Sequence, residues 1–310
     1  MASCVSKTQK NFLIVLFTSL FLFSSAKPIQ TQQSLLLQYH NGHLLTGNVS
    51  IDIIWYGKFA SYQRAIITDF ILSLSSSTPT NAQPNVATWW NIIGKYYNLV
   101  KPKIYKLVPS LGNQIMDPYY SIGKRLNINQ IERLASKGSQ KHAINVVLTS
   151  ADVAVQGFCS KCGTHGYLES ELLNKHKHRH KFAYIWVGNA ETQCPSNCSW
   201  PFNLDIYGPK TPPLVAPNND VGVDGMVLNL ASLLAGTATN PFGNGYYQGS
   251  KEEPREAVSA CPGMYGMGAS PGFPGKLLVD VKTGASYNAY GVNGRKYLLP
   301  PLYDPSAKTC

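Results

Sequence analysis

Six of the seven cysteines have the spacing that most directly indicates chemistry in this sequence, and the seventh, Cys4, lies in the N-terminal segment that we expect to be removed. The six are Cys159, Cys162, Cys194, Cys198, Cys261 and Cys310. Two closely spaced pairs of this kind can bind zinc in a cytosolic protein, whereas an even number of cysteines forms disulfides in an oxidising compartment. The N-terminal segment, which directs export, favours three disulfides. Their pairing stays open, because each close pair could form a local bridge or be cross-linked to the other pair.

A histidine between glycines, in Gly163-Thr164-His165-Gly166, is the candidate general base. Imidazole titrates near neutrality and can serve as a base or a ligand, but a turn between cysteines is the simpler interpretation. The sequence contains no Gly-x-Ser-x-Gly nucleophile motif beside it. One enzymatic alternative remains, a hydrolase that pairs His165 with Asp220 or Asp224. The four-residue spacing of these two acids at the start of a helix favours capping and helix-dipole stabilisation instead.

A long apolar helix is predicted over residues 221–237, followed by Thr-Asn-Pro. This segment is distantly similar to the metal-binding helix of zincin proteases, which carries His-Glu-x-x-His. The corresponding positions hold Ser232, Leu233 and Gly236, which can neither bind zinc nor accept a proton. We therefore expect no metal, no cofactor and no catalytic residue here. The helix belongs either to a degenerate zincin-like core or to an ordinary amphipathic core.

Cations and imidazoles alternate in one short run of the chain. Its members are Lys175, His176, Lys177, His178, Arg179, His180 and Lys181. The simplest interpretation is a solvated loop. The functional alternative is a patch that binds an anionic polymer, with a positive charge that rises as the pH falls, because histidine becomes protonated near neutrality.

The N-terminus has the three parts of a secretory signal peptide. Lys7 and Lys10 precede an apolar stretch over residues 12–23, and small residues lead to a cleavage site after Ala26. Cleavage there would leave residues 27–310 and lower the formal net charge from +11 to +9, because both lysines are removed. We expect no membrane span in the rest of the chain. Two sequons, at Asn48 and Asn197, could carry glycans.

Hydrophobic periodicity predicts a mixed α and β fold. Helices are predicted over residues 61–75, 86–99, 129–136 and 221–237, and strands over 45–56, 143–149, 182–187 and 276–281. Beyond residue 241 the abundance of glycine, tyrosine and proline indicates loops. Because the composition does not change along residues 27–310, we expect one disulfide-containing globular α+β domain.

Several motifs together resemble the phosphate-induced protein 1 (EXORDIUM-like) family of plants. They include Tyr39-His40-Asn41-Gly42, Ala87-Thr88-Trp89-Trp90, the Gly-Phe-Cys-Ser-Lys-Cys-Gly-Thr-His-Gly stretch over residues 157–166, and Asn240-Pro241-Phe242-Gly243-Asn244-Gly245-Tyr246. The resemblance implies a protein of the apoplast or cell wall linked to brassinosteroid-promoted cell expansion and to carbon status. It implies no established catalytic activity. The basic run departs from the family pattern as a local insertion.

The sequence therefore predicts an exported protein that modulates plant growth by interaction. The hydrolase with His165 is the alternative. The expected partner is a cell-wall polysaccharide or an extracellular receptor or other protein. Nucleic acid is not expected as a partner, because the chain is exported and carries no nucleic-acid-binding motif.

Overall fold

A five-stranded mixed sheet lies at the centre of the fold. The computed structural model describes residues 36–76, 82–170, 180–204, 212–270 and 272–310. The strands of the described residues are β1 Gln38–Tyr39, β2 Gly47–Tyr56, β3 Leu107–Asp117, β4 Arg125–Leu126, β5 Ala143–Thr149, β6 Ala154–Val155, β7 Gly163–Glu169, β8 Lys181–Gly188, β9 Tyr246–Tyr247, β10 Leu278–Val279, β11 Ser286–Tyr287, β12 Ala289–Tyr290 and β13 Lys296–Tyr297. The sheet has the order β3-β2-β5-β8-β7. Its first four strands are parallel, and β7 runs antiparallel to β8 at the edge.

Helices cover both faces of this sheet. They are α1 Ser61–Ser73, α2 Val86–Leu99, α3 Ile128–Ala135, α4 Pro195–Cys198 and α5 Val221–Thr239. One face packs its isoleucines and Trp55 against α1, α2 and α5, and the other packs Tyr56, Tyr184 and Trp186 against α3. Because both faces are covered, the central strand β5 is buried at every residue, as expected for a parallel sheet between helices.

Three helices begin at the side-chain caps that their sequences provide. The side chain of Asn85 accepts a hydrogen bond from Thr88 N, and Asn127 forms a reciprocal capping box with Gln130. Asp220 accepts a hydrogen bond from the backbone N of Val223 at 2.8 Å. Each cap satisfies a backbone N–H that has no partner within the first turn of its helix.

Helix α5 is the most apolar of the described helices. Among the described residues it alone is long and apolar enough to cross a bilayer, yet 78% of its apolar window is buried inside the protein. Its buried side chains join those of α1 and α2 in the larger of the two cores beside the sheet. Burial of this extent is that of a core helix of a folded domain.

Three disulfides join the six predicted cysteines. Cys159 is bridged to Cys194 and Cys162 to Cys198, with Cα–Cα distances of 5.7 and 5.2 Å. The third bridge joins the remaining pair, with a Cα–Cα distance of 5.8 Å. The two close pairs are thus cross-linked to each other, and the start of β7 is fastened to α4.

The mixed α/β prediction is confirmed, whereas the zincin-like core is not supported. Within α5, the Ser232 hydroxyl donates to the Leu228 carbonyl at 2.9 Å, which is a bond internal to the helix. Leu233 lines a cleft, and Gly236 lies against His165. No group of three or more possible metal ligands occurs anywhere in the described residues.

Two strands of the central sheet were not predicted. The sequence of β3 contains Pro109 and Gly112, which disfavour a strand. The segment of β7 was interpreted as a turn, but residues 163–169 pair with residues 181–187 in an unbroken antiparallel register. That turn interpretation was wrong, because pairing with β8 outweighs the local preference of two glycines. The strand predicted over residues 276–281 is reduced to the two residues of β10.

Candidate functional site

A cleft of about 550 Å³ lies along β7. One side is formed by five consecutive residues of that strand, 163–167. The other side is formed by the C-terminal end of α5 and the segment that follows it, and includes Asn240, Tyr247, Lys251, Glu252, Glu256 and Ser259. Its volume is within the range of ligand-binding pockets in proteins, so we consider this cleft the candidate functional site.

A chain of hydrogen bonds joins His165, Glu256 and Asn240 in the cleft. The Nε2 of His165 lies 2.7 Å from Glu256 Oε2, and Asn240 Nδ2 donates to Glu256 Oε1 at 2.7 Å. Asn240 is fixed in turn, because its Oδ1 accepts from Gly245 N at 2.7 Å. The side chains of His165 and Glu256 are only 15% and 12% exposed. Both oxygens of the carboxylate are therefore engaged, and the imidazole is held in one orientation.

Gly236 provides the space for this pair. A Cβ atom at this position would lie 2.7 Å from Glu256 Oε2 and 3.0 Å from His165 Nε2. The other ring nitrogen of His165, Nδ1, is buried and has no hydrogen-bond partner among the described residues. Helix α5 thus approaches the pair at a glycine. The side-chain amide of Asn240 makes the remaining hydrogen bond to the Glu256 carboxylate.

The carboxylates expected beside His165 lie elsewhere. Asp220 caps the start of α5, whereas His165 contacts Gly236 near its end. The rise of an α-helix places Asp220 and Asp224 about 24 and 18 Å from Gly236 along the axis. The hydrolase pairs of His165 with Asp220 or with Asp224 are therefore wrong, because neither acid reaches the cleft. The acid that does meet His165 is Glu256.

Asp224 is a buried acid of the core, 3% exposed. Its two oxygens accept from the backbone N and the side-chain Nδ2 of Asn218, at 2.8 and 2.7 Å. Burial raises the pKa of Asp224 to about 7, against these hydrogen bonds, which favour the ionised form. Asp224 thus serves the packing of α5 rather than the cleft.

The mouth of the cleft carries charges of both signs and aromatic rings. Lys161 and Lys251 face it together with Glu252 and Glu256. The ring of Tyr167 makes an edge contact with Phe242, with centroids 5.8 Å apart, and Lys181 Nζ lies 4.2 Å above its centre. The nearly balanced charge of the cleft does not favour a uniformly anionic ligand.

The basic run falls largely outside the described residues. Of its members, Lys175, His176, Lys177, His178 and Arg179 lie there, and the patch they would form stays a prediction. His180 is described, and its ring is held between Ser170 Oγ and the Gln140 carbonyl, each at 2.9 Å. Retention on polygalacturonate that is stronger at pH 5.5 than at pH 7.5 would test the patch.

The sequons occupy exposed positions. Asn48 is exposed near the start of β2, and Asn197 is exposed in α4. The middle residue of the second sequon, Cys198, is bridged to Cys162. Exposure permits a glycan at either asparagine, and glycosylation at both stays a prediction.

Fold and site together define a disulfide-bonded α/β domain with a cleft at the antiparallel edge of its sheet. The chain belongs to the phosphate-induced protein 1 family, whose model, the phosphate-induced protein 1 conserved region, matches residues 37–310. It is 60% identical to Protein PHOSPHATE-INDUCED 1 of Nicotiana tabacum, over 97% of this chain and 96% of that protein. It is 59% identical to Protein EXORDIUM of Arabidopsis thaliana, over 96% and 97%. Protein EXORDIUM-like 1 of Arabidopsis thaliana is 58% identical, over 96% of both chains. No solved structure matches the chain.

Sequence reasoning singled out His165 but missed its partners. Glu256 lies in a charged loop segment with no periodic pattern, and Asn240 was noted only for the turn that ends α5. Glu256 is 91 residues from His165 along the chain, so only the fold brings the two side chains together. The one local indication was the Asn-Pro pair after the helix, which predicts a sharp turn but not the contact it makes.

Proposed function

We propose that this protein works in the apoplast or cell wall of a plant, where it promotes cell expansion and growth by binding a partner in the cleft along β7. The names of its relatives support a role in growth, and the three disulfides fit an oxidising compartment. A signal peptide over residues 1–26, a mature domain over residues 27–310, and a link to brassinosteroid and carbon status are part of the same proposal.

The arrangement of His165 is the observation that carries the preference for binding over catalysis. An activated nucleophile needs a hydroxyl or thiol within hydrogen-bond reach of its base. Among the described residues, the hydrogen bond of the His165 ring goes to Glu256, and no serine, threonine or cysteine side chain bonds to either ring nitrogen. The chain His165–Glu256–Asn240 instead fastens β7 to the opposite wall of the cleft.

A hydrolase is the second candidate, and the His165–Glu256 pair is the observation that favours it. A carboxylate that orients an imidazole is one half of a general-base arrangement, with water as the attacking group. This candidate replaces Asp220 and Asp224 by Glu256 in the role of the acid.

Growth rescue in plants that lack the endogenous protein separates the two candidates. His165→Gln keeps an N–H donor for Glu256 but removes the base, so a binding protein keeps its growth activity and a hydrolase loses at least about a hundredfold. Thr164→Trp fills the cleft, and Thr164→Ser is its matched control. Binding predicts that Thr164→Trp abolishes rescue while Thr164→Ser and His165→Gln retain it. Loss of rescue in a well-folded His165→Gln variant would overturn the proposal.

A further inference from the structure

The cleft is lined by the edge of a strand rather than by one face of it. Successive side chains of a strand point to opposite faces of the sheet. Because residues 163–167 all line the cleft in succession, β7 turns its free backbone edge towards the cavity. Two of the five, Gly163 and Gly166, have no side chain, because a Cβ atom would lie 2.7 Å from Leu233 Cδ1 at the first and 3.1 Å from Tyr184 Cε1 at the second.

The hydrogen-bond pattern identifies which backbone groups face the cleft. At the two ends of the β7–β8 ladder, Ser170 N donates to His180 O at 2.9 Å and Gly188 N donates to Cys162 O at 3.4 Å. In an antiparallel pair every second residue bonds to its neighbour, so the even-numbered residues of β7 bond to β8. Gly163, His165 and Tyr167 therefore direct their backbone N–H and C=O groups outward.

These outward groups have almost no partner among the residues that the structure describes. Within the described residues, no backbone group bonds to Gly163, His165 or Tyr167 on the cleft side. The one contact is from Thr164 Oγ1 to the His165 carbonyl, at 3.3 Å. Unpaired backbone groups at a sheet edge form a template for another strand.

The opposite edge of the sheet, strand β3, carries features that block pairing with a further strand. Strand β3 carries Pro109, which lacks an N–H, and its register with β2 shifts between Ile51 and Ile53. Proline and bulges are the common means of blunting an edge. Strand β7 has neither, because its register with β8 is unbroken over seven pairs. Its edge is recessed in a cleft instead, which admits a short segment and excludes a second sheet.

We propose that the edge of β7 accepts an extended segment of a partner polypeptide, which adds to the central sheet as a sixth strand. The inference rests on the proposed function of binding in the cleft and names the chemical class of the partner. Residues 163–167 span about 14 Å, which matches a segment of about five residues. Main-chain hydrogen bonds supply the affinity in this mode of recognition, and side-chain contacts supply the specificity. The mixed charges that line the cleft, from Lys161, Lys251 and Glu252, suit a polypeptide better than a polyanion.

Capped pentapeptides test the backbone contacts. A randomised library of N-acetylated, C-amidated pentapeptides is bound to the immobilised protein, and the tightest binder is resynthesised with single N-methyl groups. Pairing with one edge uses alternate N–H groups, so N-methylation at alternate positions should weaken binding roughly tenfold and at the others much less. An N-methyl scan without this alternation, or a library without any binder, would overturn the proposal.

Variants of the protein test the same contacts from the other side. Tyr167→Pro removes an outward N–H and leaves the β8 ladder intact, whereas Tyr167→Thr removes the ring and keeps the N–H. We expect the proline variant to bind the selected pentapeptide at least roughly fivefold more weakly than the threonine variant. Thermal melting of both variants shows whether the fold is kept. Equal binding by two folded variants would contradict pairing at this residue.

Hydrogen exchange supplies a readout that does not depend on mutation. In the free protein the amides of Gly163, His165 and Tyr167 should exchange faster than those of Thr164 and Gly166, and saturating pentapeptide should slow the first set alone. Slowing of neither set, or of both equally, would contradict edge pairing. If the cleft binds oligogalacturonide, or another wall component that is not a polypeptide, and binds no pentapeptide, the proposed function stands and this inference fails.

Discussion

Asp224 makes the stability of this protein depend on pH in a direction that can be calculated. Burial raises the pKa of Asp224 from its usual 3.8 to about 7 in the folded protein. A carboxyl group whose pKa is raised by folding does not lower the free energy of unfolding below pH 3.8, because it is protonated in both the folded and the unfolded state. As the pH rises above that value, the unfolded state ionises first, and the folded state loses stability until the pH passes about 7.

The size of the effect follows from the two pKa values. Each unit of pH between them corresponds to about 1.4 kcal/mol, and partial ionisation of the folded state reduces the slope near pH 7. Between pH 5.5 and pH 7.5 this one group should therefore lower the free energy of unfolding by about 2 kcal/mol. The ionisation of Asp224 therefore makes the protein more stable at pH 5.5 than at pH 7.5.

Urea unfolding of the wild type and of Asp224→Asn at both values of pH measures this effect. Asparagine cannot ionise, so the variant should lose about 2 kcal/mol of the pH dependence whatever its own stability. Asp152→Asn is the matched control. Burial opposes ionisation of Asp152, but hydrogen bonds from Lys124, Ser150 and Tyr120 outweigh it and hold its pKa well below the usual range. Asp152 is ionised in both the folded and the unfolded state at pH 5.5 and at pH 7.5, so its contribution to stability is the same at both values. The Asp152→Asn variant should therefore keep the wild-type pH dependence. An Asp224→Asn protein with the wild-type difference between pH 5.5 and pH 7.5 would refute the reasoning.

Three further predictions concern the cleft, a disulfide and export. Gly236→Ala should separate His165 from Glu256, because its Cβ would lie 2.7 Å from the carboxylate. The NMR signals of the His165 imidazole should therefore shift, and unchanged signals would contradict this prediction. Replacing Cys261 and Cys310 by serine opens a bridge across 49 residues and should lower the free energy of unfolding by about 4 kcal/mol in urea titrations, whereas a loss below about 1 kcal/mol would contradict this. A C-terminal fluorescent fusion should accumulate outside the plasma membrane, with its N-terminus near residue 27, and an uncleaved secreted form would contradict the signal peptide.

The elements that depend on local pattern were predictable from the sequence. Helix α2 and strand β5 have the predicted bounds. A cap at Asn85 begins the helix, and the strand is an apolar run interrupted only by Asn145. Strand β7 was not predictable in this way. Its glycines and threonine indicate a turn, and its strand conformation comes from pairing with β8.

The candidate site was predictable only in part for the same reason. His165 was recognised by its chemistry and its neighbours in sequence. Its partner Glu256 is 91 residues away, brought to it by the turn after α5. No periodicity connects the two positions, so the pairing of His165 with the nearest acids of a predicted helix was a reasonable but wrong choice. The separation of Asp220 and Asp224 from the cleft follows from the length of α5 alone.

The positions of the disulfides have a consequence for how the cleft keeps its width. Cys162 immediately precedes β7, and Cys261 lies two residues beyond Ser259 on the opposite wall, so each wall is covalently anchored near one end. A binding site whose walls are already held apart loses little conformational entropy when it is filled, and rigidity of this kind increases affinity without adding a contact. The same anchors make the rigidity of the cleft depend on oxidation, because both walls lose their covalent attachment when these disulfides are reduced.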